Sequence, residues 1–151
     1  YFMDQDGLMS EIREGFMKQL RARICPNVPC QAAARASLQG PQDYIDDMNR
    51  KLKERADFSY KRLNEIPHVS TRRANGALYM FPSIDLKGTP WNTDMEFVLD
   101  LIKEEGVVLV QGSGFCQEFG QSHFRSLLLP PMEVLEEAFD KMEKFIVHRI
   151  G

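Results

Sequence analysis

An arginine within an apolar strand pattern is the residue of this sequence best suited to chemistry. Residues 123–129 read HFRSLLL, and with a side-chain period of two Arg125 shares a face with Leu127 and Leu129. A buried guanidinium without a partner is destabilising, so we expect Arg125 to contact an anion or to reach water. The anion is either a carboxylate of the protein, in a structural ion pair, or the carboxylate of a ligand, which a planar guanidinium binds through two hydrogen bonds.

A glycine-rich loop precedes this strand and favours the ligand alternative. An apolar run over 107–110 that predicts a strand leads into a glycine loop, which contains Gly112, Ser113 and Gly114. Cys116 follows the loop, but the sequence shows no histidine–carboxylate arrangement that would make it a nucleophile. His123 is predicted to be a packed residue at the start of its strand rather than an acid or a base.

Composition excludes several classes of function. The net charge is −3, and no basic stripe or aromatic-basic motif supports nucleic-acid binding. Cys25, Cys30 and Cys116 lack the CxxC spacing of a zinc site and are an odd set for a disulfide framework. No apolar run approaches the roughly 18 residues that span a bilayer, and no signal peptide is recognised. We therefore expect a soluble, cytoplasmic protein with reduced cysteines, no metal site, and neither a nucleic-acid nor a membrane partner.

Apolar periodicity predicts an α/β fold in which a helical N-terminal segment precedes a small sheet packed against helices. Thr93 followed by Glu96 forms a capping box that starts a helix, and Gly106 ends it. The predicted elements are helices over 8–23, 30–38 and 41–64, strands over 69–73 and 77–82, a helix over 93–106, strands over 107–110 and 123–129, and a last helix from Pro130.

Four segments in this order resemble the motifs of one family. They read RICPNVPCQ (23–31), GALYMFP (76–82), QGSGF (111–115) and HFR (123–125). The chain resembles the C-terminal portion of fold-type I, pyridoxal-phosphate-dependent aminotransferases, and is most similar to the alanine aminotransferases of prokaryotes. The resemblance covers essentially all of the chain. It implies that residues 1–40 form the end of a large domain and an inter-domain segment, and that residues 41–151 form the small C-terminal domain.

The resemblance also implies an activity. It is the reversible transfer of an amino group between an amino acid, with alanine as the expected one, and 2-oxoglutarate, with pyridoxal 5'-phosphate as the electron sink. Arg125 would bind the substrate α-carboxylate, and the loop with Gly112, Ser113 and Gly114 would lie beside it as a further substrate-binding group. Asn27 would lie near the interface of a homodimer and the neighbouring subunit's active site. Family members usually have a small residue, alanine or glycine, at the position of Cys30, and often a glycine at that of Cys116.

No lysine of the sequence suits the Schiff base that such enzymes need. Lys87 lies in a predicted loop without the surroundings of such a site, and the other lysines lie on predicted helices. The resemblance places the catalytic lysine and most of the cofactor site before Tyr1, so no catalytic residue is assigned, and these residues alone are expected to be inactive. Two alternatives stay open: a non-catalytic α/β module that binds a carboxylate or amino acid, and a related pyridoxal enzyme such as a tyrosine aminotransferase or a carbon–sulfur lyase.

Overall fold

The computed structural model describes residues 7–22 and 25–151. The chain consists of two compact units, Tyr1–Tyr44 and Ile45–Gly151, and the domain boundary predicted after residue 40 stays a prediction. No helix within the described ranges is long and apolar enough to cross a membrane. The helices are α1 (Ser10–Arg21), α2 (Val28–Gln39), α3 (Asp43–Glu65), α4 (Asp94–Glu105) and α5 (Met132–Ile150), and the strands are β1 (Val69–Ser70), β2 (Tyr79–Met80), β3 (Ser83–Ile84), β4 (Val110–Gln111) and β5 (Phe124–Leu127).

The helices of the first unit expose their apolar side chains. α1 covers most of the helix predicted over 8–23, and residue 23 lies outside the described residues. α2 begins at Val28, earlier than predicted, because the Asn27 side chain accepts a hydrogen bond from the backbone N–H of Cys30 at 3.4 Å and so caps the helix. Neither α1 nor α2 contains a buried residue.

The second unit is built on short antiparallel strands, which confirms the predicted α/β class. β5 is the central strand of a three-stranded sheet with the order β2-β5-β4. Its register pairs Met80 of β2 with Ser126 and Val110 of β4 with Arg125. β1 and β3 form a separate antiparallel pair.

The predicted strands differ from the observed ones in their bounds, and the strand predicted over 107–110 overlaps β4 only at Val110. The run predicted as one strand over 77–82 continues past Pro82 into a second strand, β3, which pairs with β1. Proline lacks a backbone N–H and interrupts the ladder at that point. The strand predicted over 69–73 is paired only at Val69 and Ser70, because β3 is itself two residues long.

α4 follows its sequence signals closely. The Thr93 side chain accepts a hydrogen bond from the backbone N–H of Glu96 at 3.2 Å, and the Glu96 carboxylate accepts one from the backbone N–H of Asn92 at 2.7 Å. The helix ends at Gly106, which adopts a left-handed conformation with φ of 69°. The predicted Thr93 cap and the predicted glycine stop are therefore confirmed, whereas the Glu96 carboxylate bonds the N–H of Asn92 and not that of the N-cap Thr93, as a full capping box requires.

The core of the second unit lies between β5 and the helices. Phe124 of β5 is fully buried, and its ring centroid lies 5.7 Å from that of Phe97 on α4. Trp91 stacks on Phe145 of α5 with ring centroids 5.2 Å apart. The alternate residues of β5 face away from this core, which is the property that creates the candidate site.

An arginine links α3 to α5 at the edge of the core. The Arg62 guanidinium donates a hydrogen bond to the Asp140 carboxylate at 2.8 Å and also contacts Glu143. Its side chain is only 16% exposed, and the neighbouring Asp140 raises the pKa of Arg62 above its ordinary value. Arg62 therefore has the protein carboxylate partners of a structural ion pair.

Candidate functional site

Successive side chains of β5 point to opposite faces of the sheet, and this places Arg125 on the face that lies away from the core. Phe124 and Ser126 are buried, whereas Leu127 is 39% exposed and Leu129 is 49% exposed. Arg125 is half-buried on the same side as these two leucines. The predicted division of the strand into two faces is confirmed, and the guanidinium lies on the outer face rather than inside the apolar core.

Two aromatic rings contact the Arg125 guanidinium. Its Cζ lies 4.6 Å from the ring centroid of Tyr79 and 4.6 Å from that of Phe115. The electron-rich face of an aromatic ring attracts a cation at this separation, but it offers no lone pair to the N–H groups. Within the described ranges Arg125 forms no ion pair or hydrogen bond, so its forked donors are available to a carboxylate from elsewhere.

Strand register explains why aromatic side chains surround Arg125. Tyr79 pairs with Leu127, and a directly opposed pair lies on one face of a sheet, so Tyr79 is a diagonal neighbour of Arg125. Phe81 follows two residues after Tyr79 on that face, and its ring packs edge-on against Phe115 at 6.0 Å between centroids. Phe115 itself comes from the loop after β4. The aromatic cluster thus combines a strand and a loop that are distant in sequence.

The glycine loop is held tightly by the protein's own backbone. The N–H of Gly112 donates to the carbonyl oxygen of His123 at 2.8 Å, and the N–H of Ser113 donates to the Asp94 carboxylate at 2.8 Å. A Cβ at Gly112 would lie 2.4 Å from the carbonyl oxygen of Gly120, so a side chain there requires the backbone to move. The close approach that Gly112 allows is therefore an approach of the loop to residues 120–123, whereas a Cβ at Gly114 would lie nearest to the Gln111 side chain, at 3.2 Å.

A cavity of about 560 Å³ borders the aromatic cluster. Tyr79, Phe81 and His123 line it on one side, and Arg72 is among the remaining lining residues. Tyr79 lines the cavity and also contacts Arg125, which is itself not among the residues that line it. The N–H groups of Arg125 can bind a small carboxylate ligand.

Cys116 and His123 have no geometry for nucleophilic or acid–base catalysis among the described residues. Backbone N–H groups of Phe119 and Glu118 lower the pKa of the exposed Cys116 thiol below its ordinary value. The His123 ring stacks on Phe81 at 5.2 Å, and its Nδ1 hydrogen-bonds the Gln121 carbonyl oxygen at 2.9 Å. This agrees with the packing role predicted for His123.

Metal-site and disulfide features are absent from the described part of the chain. No group of three or more His, Cys, Asp or Glu side chains there could hold a metal ion. Cys25, Cys30 and Cys116 are free and exposed. Asn27, predicted near a subunit interface, is the N-cap of α2, and its role at an interface stays a prediction.

Tyr79 and Asp94 are the neighbours that sequence reasoning did not single out, whereas Phe115 belongs to the loop that the resemblance places beside the site. Asp94 is 3% exposed and holds the start of the glycine loop. Tyr79 carries a weak signal, since it is an aromatic residue within the apolar run before Pro82, and Asp94 follows the Thr93 cap as an ordinary acidic residue of a first helical turn. Nothing in the local sequence links either residue to Arg125 or to the loop.

Comparison with known proteins identifies the family. Residues 8–142 match the family described as aminotransferase class I and II. The chain belongs to this family. The resemblance inferred from the four sequence motifs is thereby confirmed, and the fold is that of fold-type I aminotransferases.

Individual relatives are alanine aminotransferases. The chain is 38% identical over 136 residues to the glutamate-pyruvate aminotransferase AlaA of Haemophilus influenzae, covering 88% of this chain and 33% of that protein. It is 36% identical over 141 residues to the alanine aminotransferase of Mycobacterium tuberculosis, covering 91% of this chain and 32% of that protein. Among solved structures, an alanine aminotransferase from Pyrococcus furiosus matches with a TM-score of 0.88 and 51% identity over 99% of this chain and 37% of that one. The chain thus spans about a third of the length of these relatives.

The described residues do not fit the covalent attachment of pyridoxal 5'-phosphate, the cofactor that this family generally uses. That cofactor is bound through a lysine amine in a buried site. Every lysine of the chain is at least partly exposed, and those of α3 and α5 include Lys51 paired with Asp47 and Lys141 paired with Glu137. Apart from Lys87, which lies in a loop, these lysines are surface groups of helices, as the sequence predicted.

Proposed function

We propose that this chain is the C-terminal part of a pyridoxal-phosphate-dependent aminotransferase that transfers an amino group between an amino acid, alanine in the first instance, and 2-oxoglutarate. Arg125 binds the α-carboxylate of the substrate. One observation carries this role: the guanidinium lies on the outer face of β5 with two aromatic contacts and no carboxylate partner among the described residues. Arg62, by contrast, has two such partners.

Arg125 contributes binding and orientation to this reaction. Two parallel N–H···O bonds to one carboxylate restrict the rotation of the substrate as well as its position, and such orientation lowers the entropic part of the barrier. Gly112, Ser113 and Gly114 hold the neighbouring loop beside the carboxylate. When bound, the cofactor would supply the electron sink, and the lysine that would hold it is not among these residues, which alone are expected to be inactive.

The relatives support alanine as the amino donor, since those from Haemophilus influenzae, Mycobacterium tuberculosis and Pyrococcus furiosus carry alanine or glutamate-pyruvate aminotransferase in their names. We further propose a cytoplasmic homodimer in which Asn27 lies near the partner's active site. Initial rates with a panel of amino acids separate alanine from tyrosine and from the sulfur amino acids that a carbon–sulfur lyase cleaves. If the initial rate with alanine is no higher than the rate with tyrosine, the assignment of alanine as substrate is contradicted.

The Arg125→Lys substitution tests the carboxylate role in the complete enzyme. A point charge replaces the bidentate fork, so we expect the affinity for alanine and pyruvate to fall about tenfold or more while the absorbance of the bound cofactor stays unchanged. Arg149→Lys, which alters a surface arginine paired with Glu104, is the matched control. Half-reaction kinetics for alanine that equal those of the control contradict the role of Arg125.

A second candidate function is a non-catalytic module that binds an amino acid or another carboxylate. The surface position of every lysine favours it over an enzyme made of these residues alone. An intact mass together with a near-visible absorbance scan distinguishes the candidates. A mass of 17.4 kDa without cofactor absorbance, together with measurable alanine binding, supports the module, whereas a larger mass with cofactor absorbance supports the enzyme.

A further inference from the structure

The direction of the Arg125 guanidinium is set by few contacts. An arginine side chain has several rotatable bonds, and ordering it has an entropic cost. Among the described residues no hydrogen bond or ion pair orients this one, and its ring contacts are with Tyr79 and Phe115 at 4.6 Å each. The two rings are therefore the groups that restrict where the N–H donors point.

We infer that Tyr79 and Phe115 are positioning residues, which hold the Arg125 guanidinium in the orientation that binds a substrate carboxylate. This inference rests on the proposed function, because it assumes that Arg125 meets a carboxylate. The rings act through Arg125 and form no hydrogen bond with the substrate. Cation–π attraction favours the guanidinium over the ring faces, so the arginine is ordered before the ligand arrives and less entropy is lost on binding.

Phe115 is held in place by a chain of contacts that begins in the core. The buried Asp94 carboxylate accepts a hydrogen bond from the N–H of Ser113 at 2.8 Å. The N–H of Phe115 in turn donates to the carbonyl oxygen of Gly112 at 2.9 Å. The ring also packs edge-on against Phe81. These contacts restrain a ring that is itself 52% exposed, as a positioning role requires.

Tyr79 is positioned by the sheet rather than by a loop. Its register opposite Leu127 brings the ring diagonally beside Arg125. The ring face, not the phenol hydroxyl, contacts the guanidinium. Phenylalanine at this position should therefore retain the effect, and leucine should lose it.

The same loop offers a matched control for Phe115. Phe119 lies four residues further on, is 72% exposed, and has no ring contact with Arg125. Replacing Phe119 by leucine removes an aromatic ring of the same size from the same loop. If the rings acted only as apolar surface of the loop, substitutions at both positions would have similar effects. The positioning role predicts an effect at Phe115 alone.

Single-turnover kinetics of the complete enzyme test the inference. Alanine is compared with ethylamine, which has the amine but no carboxylate. For Phe115→Leu we expect the concentration of alanine that gives half the maximal rate to rise about threefold to thirtyfold, with little change in the maximal rate. The half-saturating concentration of ethylamine should stay unchanged. Phe115→Tyr and Phe119→Leu should behave as the parent enzyme. Titration calorimetry with 2-methylalanine, which has no α-hydrogen to transfer, should give the same ratio of affinities without turnover.

The outcomes separate this inference from the proposed function. Equal losses for alanine and ethylamine in Phe115→Leu, or no loss for alanine, overturn the positioning role. If Phe115→Leu fails to fold, Tyr79→Leu takes its place in the experiment, and Tyr79→Phe serves as its conservative control. Equal losses for alanine and ethylamine in Tyr79→Leu, or no loss for alanine, then overturn the positioning role. If Arg125→Lys itself leaves alanine kinetics unchanged, the carboxylate role fails first, and the positioning inference fails with it.

Discussion

The two faces of β5 show how one strand can serve both stability and binding. The core face, formed by Phe124, Ser126 and Leu128, is buried. The outer face, formed by Arg125, Leu127 and Leu129, is partly exposed and carries the cation. Side chains on the core face gain free energy by leaving water, whereas those on the outer face keep their capacity to contact a ligand. A substitution on the core face should therefore affect stability, and one on the outer face should affect binding.

We expect the largest difference between the two faces when the free energies of unfolding of Phe124→Ala and Leu127→Ala are compared. Phe124 is fully buried against Phe97, and truncating a buried phenylalanine costs about 3–5 kcal/mol. Leu127→Ala on the outer face, which is 39% exposed, should cost much less. Urea denaturation of both variants measures the difference, and equal losses would contradict the division into faces.

Gly112→Ala should have the next largest effect. The added Cβ would lie 2.4 Å from the Gly120 carbonyl oxygen and 2.6 Å from the His123 Cβ. Backbone shifts of this kind cost about 1–3 kcal/mol, and they would also displace Phe115. Gly76→Ala is the control, because a Cβ there meets no atom within 4 Å. Thermal unfolding compares the two, and a Gly112→Ala variant as stable as Gly76→Ala would show that the loop is looser than described.

Arg62 and Arg125 allow a cation with a structural role to be compared with a cation that is proposed to bind a ligand. Arg62→Leu leaves Asp140 and Glu143 without their partner, and we expect it to lower the free energy of unfolding by about 1–3 kcal/mol. Arg125→Leu breaks no ion pair among the described residues, so its cost should stay below about 1 kcal/mol. Denaturant titrations give both values. A larger loss for Arg125→Leu would mean that its aromatic contacts stabilise the fold.

The smallest expected effect concerns the thiol of Cys116, which follows Phe115 in the glycine loop. Hydrogen bonds from Phe119 and Glu118 lower the pKa of Cys116, so its thiolate forms at a lower pH in the folded chain than in the unfolded one. The stabilisation from these bonds is present above the unfolded pKa and is lost as the pH falls through the folded pKa. Alkylation rates should therefore rise at lower pH in native protein than in urea.

A chain with Cys25→Ala and Cys30→Ala isolates this thiol for the measurement. Coincident pH profiles in the native and urea-denatured states would show that the backbone N–H groups do not stabilise the thiolate.

Much of the fold follows from local signals. The Thr93 cap and the glycine at 106 defined α4 because both act within one helical turn. Alternation identified Phe124 and Leu128 as core residues because successive side chains of a strand point to opposite faces. β3 was not predicted, since its pairing with β1 is a non-local contact and Pro82 interrupts the apolar run before it.

The candidate site was predictable only in part. The sequence identified Arg125 but left three partners open for it: a protein carboxylate, water and a ligand. The contacts with Tyr79 and Phe115 depend on the register of β2 with β5 and on the path of a loop. Neither is a property of a single segment. The sequence did not indicate that Gly112 packs closely against the backbone of Gly120, and the approach of the loop to a ligand stays a prediction.

By itself the sequence determined the helices, the two faces of β5, the surface position of the lysines and the family, because periodicity, capping and motifs are read from the chain itself. Tertiary structure alone decided that Arg62 has carboxylate partners and that Arg125 meets aromatic rings. It also decided that the buried Asp94 holds the loop carrying Phe115. The physical reason is that ion pairs, ring contacts and buried hydrogen bonds join groups far apart in the chain, and their geometry exists only once the strands and helices have packed.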